Sequence, residues 1–284
     1  MTERSTSRMP VIIPAYKGRQ YIDAALSALP REQFQPLVAV NGEDDGTAAR
    51  ATEKWGADAF IATEQGKMPA IQEALMHLGE RAVQPLAIMD VDTRIRHPRA
   101  WQAAVDAALK QVGDRPLYMT GPVQFTHTNP LEAAARTRWY HSRFTSNGPS
   151  MRDASAGAAP LDAHYGPNTV FHAANEATLE DVLQLDNYWP GEDRAMADVV
   201  LRHSGVFYQN RSRDMTARTP LSDSYEPMVV AGLRKVGHKL GIHADRADGG
   251  VVEHYVQRGP ANARPYPAPD EHQQIDSRPP SSVY

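Results

Sequence analysis

The chain has 284 residues, 41% hydrophobic and 23% charged, which suits one large α/β domain or one domain with an appendage. A net charge of −4 gives no global basic footprint for nucleic acid, and the absence of cysteine excludes disulfides, thiolate metal sites and cysteine nucleophiles. No apolar run is long enough to span a bilayer and the polar N-terminus carries no secretory pattern, so a cytoplasmic protein without a membrane span is expected.

Short apolar runs alternate with helical spacing along the first half. Val11-Ile12-Ile13 reads as a buried parallel strand, and Ile22, Ala25, Leu26 and Leu29 follow at helical spacing. Leu37 to Val40 is a second strand, with Ala48, Ala51, Thr52 and Trp55 as the next helix face. Ala59 to Ala62 is a third strand, followed by Ile71, Ala74, Leu75 and Leu78. Leu86 to Met89 is a fourth strand that ends on Asp90. Trp101, Ala104, Val105 and Ala108 give a fourth helix, and Leu117 to Met119 a further strand. Such succession predicts βαβ units and a mostly parallel sheet, with ligands at the carboxyl ends of the strands.

The remainder is less regular. Residues 130–144 read as a helix, 146–167 as a long loop, 195–203 and 228–240 as helices. From His243 the chain is polar, and from Gly259 it is rich in proline. Too little apolar surface is present there to offset ordering entropy, so a flexible tail or a flap is expected over 243–284.

Five segments carry candidate chemistry. Asp90-Val91-Asp92 follows an apolar strand, where one carboxylate can hold a hard divalent cation and the other a ribose or a metal-bound water. A solvated loop is the plain alternative. Val11-Ile12-Ile13-Pro14-Ala15-Tyr16 ends the first strand with a tyrosine able to stack on a base. Asn41, after the second strand, has donor and acceptor atoms for a base edge, although its turn also serves as a helix cap. Gly66-Lys67 opens a helix and offers a charge to phosphate, without the remaining residues of a P-loop. Gly191-Glu192-Asp193 also opens a helix, where carboxylates are stabilised by the dipole; Asp193 is the expected general base and Glu192 the runner-up. Trp189 is a candidate wall of an acceptor pocket.

Taken in order, these segments resemble glycosyltransferase family 2, an inverting group with the GT-A fold. The family's VIIPxYN start is similar to Val11 through Lys17, and its DDGSxDGT turn to Val40 through Thr47. Its GKxxAxN segment is similar to Gly66 through Gln72, its DxD to Asp90 through Asp92, and its GxN to Gly166 through Asn168. Its EDxxLxxR helix start is similar to Glu192 onward, and Met215-Thr216-Ala217-Arg218 looks like a segment that some members carry near the donor diphosphate. The chain departs at Val40-Asn41, where the family has an acidic pair, and at Lys17 and Gln72, where it has asparagines. The resemblance spans about Met9 to Arg218.

What the resemblance implies is a GT-A (Rossmann-like) α/β fold, a mostly parallel sheet flanked by helices with a flexible C-terminal tail. The domain would cover 1–242, with a nucleotide-binding half at 1–125 and an acceptor-side half at 126–242, followed by the tail or flap at 243–284. Pro14, Ala15, Tyr16, Asn41, Lys67, Asp90 and Arg218 would contact a nucleoside diphosphate sugar, expected to be a UDP-sugar. Asp92 and Asp90 would hold Mn2+ or Mg2+, and Asn168 and Trp189 would lie on the acceptor side. The rivals are a nucleotidyltransferase, against which stands the missing glycine- and arginine-rich loop after the first strand, and a non-catalytic nucleotide-sugar-binding module. The acceptor is not readable. A modified nucleic-acid base is a minor alternative suggested by Arg136, Arg138, Arg143 and Arg152, with the chain's acidity against it.

Overall fold

The computed structural model describes residues 8–127, 129–144, 151–153, 168–186, 188–189, 192–210, 212–220 and 264–265. In chain order its strands are β1 (Met9–Ala15), β2 (Phe34–Val40), β3 (Asp58–Ile61), β4 (Leu86–Met89), β5 (Arg94–Ile95), β6 (Leu117–Thr120) and β7 (Val123–Thr126). There follow β8 (Met151–Asp153), β9 (Asn168–His172), β10 (Tyr188–Trp189), β11 (Val206–Gln209), β12 (Ala217–Pro220) and β13 (Arg264–Pro265). The helices are α1 (Ile22–Ser27), α2 (Thr47–Trp55), α3 (Lys67–Leu78), α4 (Pro98–Val112), α5 (Pro130–Phe144), α6 (Glu176–Leu183) and α7 (Glu192–Arg202).

The main sheet has eight strands in the order β3-β2-β1-β4-β9-β6-β11-β8. Only β9 and β8 run against the rest, so the sheet is mostly parallel, as the periodicity predicts. Its strands are apolar on both faces because helices cover both. Val11 and Ile13 face Ile22, Leu26, Trp101 and Val105 on one side. Ile12 faces the other side, with Met68, Ile71, Leu75, Met196 and Val200. Each such side chain stabilises the fold by about 1.5–3 kcal/mol when fully buried, enough for four-residue runs to form strands. A second sheet, β5-β12-β7, lies beyond the end of β4, and β10 pairs with β13.

Three expectations change. The loop expected over 146–167 contains a strand, β8, whose backbone pairs antiparallel with β11. Two residues of the expected tail, Arg264 and Pro265, pair with Trp189 and Tyr188. The strands β5, β7, β9, β11 and β12, and the helix α6, were not anticipated. The helix expected over 228–240, the rest of the 146–167 loop and nearly all of 243–284 lie outside the described residues. Among the described residues no helix is long and apolar enough to cross a membrane.

One polar knot ties the two sheets together. Asn168, 1% exposed, accepts from Trp101 Nε1 at 3.0 Å and donates to the carbonyls of Pro122 and Met215. Gly121 leaves the space for that amide. A Cβ there would press on Asn168 Nδ2 and sit 2.7 Å from Met215 O. Gly121→Ala is therefore expected to destabilise the fold by about 3 kcal/mol, combining overpacking with a disturbed buried hydrogen bond. Urea unfolding should show a lower midpoint at unchanged slope; an unaltered midpoint would refute the knot.

Candidate active site

The site is built where β1, β2 and β4 end. At the end of β4, Thr93 N donates to Asp90 O at 2.9 Å, closing a turn that carries both Asp90 and Asp92. Gly18, from the loop after β1, packs on that turn: a Cβ there would meet Val91 Cγ2 at 2.9 Å. Lys17, just before it, has φ 45°, a left-handed conformation that asparagine tolerates better than lysine. The family pattern has an asparagine at this position. Lys17 Nζ lies 5.3 Å from the centre of the half-buried Tyr16 ring.

Asn41 directly follows β2 and is 4% exposed. Its backbone N donates to Ala15 O at 2.7 Å, and its Oδ1 accepts from Gly66 N at 2.5 Å. The residue expected to read a base thus pins the end of β1 to the start of α3. Gly66 has φ 144° and ψ 149°, a region open essentially to glycine alone. The N-cap of α2 is Gly46, without a side-chain cap bond of its own; the aspartates before it hold the turn, Asp44 Oδ1 accepting from Gly46 N and Ala48 N, and Asp45 from Thr47 N. Pro14 and Ala15 are buried, so of the β1 residues expected at the donor only Tyr16 has an accessible side chain.

Lys67, at the first turn of α3, bridges two carboxylates. Its Nζ lies 3.1 Å from Asp90 Oδ1 and 3.5 Å from Asp193 Oδ2. Asp193, from α7, takes a further hydrogen bond on Oδ1 from the Tyr118 hydroxyl at 3.1 Å. Tyr118 is fully buried in β6. Burial first, then the Asp193 charge, push its hydroxyl well above the usual tyrosine range, so it stays a donor. Spacing alone singles out Asp90, Lys67 and Asp193; it gives no sign of Tyr118, which reads simply as a strand residue.

Asp92 is half-buried with few compensating groups. Burial first, and then the Asp90 charge, raise its carboxyl to about 6, against hydrogen bonding from Thr219 and Thr93. The cluster Asp90, Asp92, Asp193 and Lys67 has three carboxylates and one ammonium. Among the described residues no group of three His, Cys, Asp or Glu side chains could hold a metal unaided. Two adjacent carboxylates with excess negative charge nevertheless fit a hard divalent cation whose remaining ligands come from substrate phosphates and water, the usual arrangement for magnesium.

Two expected site residues fall elsewhere. Asn168 is enclosed, with its amide committed to Trp101, Pro122 and Met215, so it braces the site and has no face for an acceptor. Arg218 is exposed, whereas its neighbour Thr219, buried on the opposite face of β12, bonds Asp92. Arg218 reaches Gln124 Oε1 at 3.4 Å and is not brought into the Lys67 cluster. The side chains of Trp189 and Glu192 lie outside what is described.

This architecture is the Rossmann-like α/β fold of GT-A type, a mostly parallel sheet between helices. No protein-family model matches the sequence, and no curated protein matches it. Among solved structures, TarS of S. aureus is similar with a TM-score of 0.51 at 12% identity, over 90% of this chain and 45% of TarS. The chain thus spans under half the length of TarS. The CMP:2-keto-3-deoxy-manno-octonic acid synthetase complexed with CTP gives a TM-score of 0.42 at 12% identity, over 83% of this chain and 99% of that one. 4-Diphosphocytidyl-2C-methyl-D-erythritol synthase gives 0.44 at 14% identity, over 81% and 98%. At 12% identity the likeness to TarS is one of fold.

Proposed function

We propose that this chain is a metal-dependent inverting glycosyltransferase related to family 2, transferring a sugar from a nucleoside diphosphate sugar to an acceptor hydroxyl. The observation that carries the reading is the convergence of Asp90, Asp92, Lys67 and Asp193 at the carboxyl end of the sheet. Asp92 and Asp90 would hold Mn2+ or Mg2+, whose positive charge favours departure of a diphosphate. Tyr16 stacks on the base, expected to be uracil. Asp193 accepts the proton of the acceptor hydroxyl as its oxygen bonds the anomeric carbon; the bond from that carbon to the diphosphate breaks, and the diphosphate leaves with the electron pair. Tyr118 on Oδ1 and Lys67 on Oδ2 fix the orientation of the Asp193 carboxylate, and a remaining lone pair takes the acceptor proton. Lys67 also offsets charge beside the diphosphate.

A thermal-shift screen of nucleoside diphosphate sugars tests this. With manganese, one donor should raise the unfolding midpoint, by about 2.7 kcal/mol of added stability at a hundredfold excess over Kd, and the shift should vanish with chelator. Stabilisation by nucleoside triphosphates alone would contradict the donor assignment.

A further inference from the structure

The second sheet presents a strip of arginines that the proposed chemistry leaves unused. In β5, Arg94 is exposed and flanks the buried Ile95, with the exposed Arg96 on its other side, so both arginines lie on one face. Arg94 pairs in register with Arg218 of β12, also exposed, and Arg96 N bonds Thr216 O. Arg99, in the first turn of α4, and Arg213, in the turn that α4 packs against, are exposed as well, on elements that adjoin each other. Among the described residues none of these five guanidiniums has a carboxylate partner; Asp214 lies nearby and is bonded by Ser212 Oγ at 3.2 Å. Like charges placed opposite one another on a sheet repel, a cost that a bound anion removes.

The strip's chemistry narrows the ligand. All five cations are arginine, whose planar fork matches phosphate oxygens in pairs. Arg94 and Arg96 stand about 7 Å apart along the strand, and the whole array is longer than one phosphate group. It begins two residues beyond Asp92, at the edge strand of its sheet, on the face of that sheet opposite the buried Thr219 that bonds Asp92. A membrane-docking face joins basic residues to an apolar stripe. Here, among the described residues, the exposed large apolar ones are Ile61, Met76 and Leu131, and of these only Leu131 belongs to an element, α5, that packs on the second sheet. The chain's net negative charge is no obstacle, because the strip is local.

We propose that this strip binds the phosphodiester backbone of a nucleic acid, at a surface separate from the donor site of the proposed glycosyltransferase. The binding is electrostatic and independent of sequence. Fluorescence anisotropy with a labelled DNA duplex, titrated across sodium chloride concentrations, measures it. With about four phosphates engaged, log affinity should fall against log salt with a slope near −4. Arg94→Gln with Arg96→Gln should reduce the slope by about 2 and weaken binding at low salt by ~10-fold or more, while the paired lysine changes retain the slope. The donor-induced thermal shift should be the same in all of these, which also reports that each is folded. Absence of salt-dependent binding, or a slope untouched by the glutamine changes, overturns the proposal. So does sedimentation with phosphatidylserine vesicles in place of duplex binding, which would assign the strip to a lipid surface. Asp92→Asn should abolish the donor shift and leave the duplex slope intact, so failure of the donor reading and failure of the strip appear in different measurements.

Discussion

Asp193→Asn is expected to slow sugar transfer by ~10²-fold or more while donor binding and folding survive, the scale on which loss of a general base is felt. The substitution keeps the size of the side chain, and its amide oxygen can still accept from Tyr118. What it removes is the negative charge that Lys67 shares between Asp193 and Asp90. Glu192→Gln, one residue earlier in the helix, is expected to do less. Tyr118→Phe is expected to lower turnover by a smaller factor, because it frees the carboxylate to rotate without removing the base. Initial rates at saturating donor, with donor affinity measured separately, distinguish these. A Glu192 change more damaging than the Asp193 change would move the base one residue; two harmless changes would reduce the pair to a helix cap.

Asp92→Asn should abolish metal-dependent donor binding, so that affinity in manganese equals affinity in chelator. It should also stabilise the protein without metal. Burial and the Asp90 charge raise the Asp92 carboxyl to about 6, above its ordinary value of 3.8. Between those pH values the folded chain holds a proton at Asp92 that the unfolded chain has lost. Stability from this group is therefore highest at low pH, falls as pH rises through the window, and stays lower above it. The asparagine lacks this loss, worth on the order of 2 kcal/mol at neutral pH after allowing for partial exposure. Urea unfolding in chelator at pH 4 and pH 7 should show the variant gaining on the parent only at the higher pH. A variant less stable than the parent at pH 7 would mean that Asp92 is a structural partner and not a carboxylate awaiting a cation.

Much of the sheet is legible because its first strands are continuous apolar runs. Ile12 and Ile13 need opposite faces covered, which only a sheet between two helical layers provides. The second sheet escapes such reading. Its strands are two to four residues long and include Arg94, Gln124, Arg218 and Thr219, which are strand residues only by virtue of partners far along the chain. The same limit applies to the site. Asp90 and Asp92 announce themselves by following a strand, but Asn168 matches a motif in sequence while its amide is spent on Trp101 and two carbonyls. Lys67 reads as a phosphate ligand from its glycine neighbour; its bridge to Asp193 joins residues 126 positions apart, a pairing that no local pattern encodes.

A carboxylate cluster that transfers a sugar from a nucleoside diphosphate sugar, as proposed, differs in its products from one that joins a nucleotide to a sugar phosphate. Product analysis by phosphorus NMR tests this directly, comparing a nucleoside diphosphate sugar plus manganese with a nucleoside triphosphate plus sugar phosphate. Nucleoside diphosphate is expected from the first mixture, dependent on Asp92 and suppressed by chelator, and no pyrophosphate from the second. Pyrophosphate release from the second mixture, with the first left intact, would contradict the proposal.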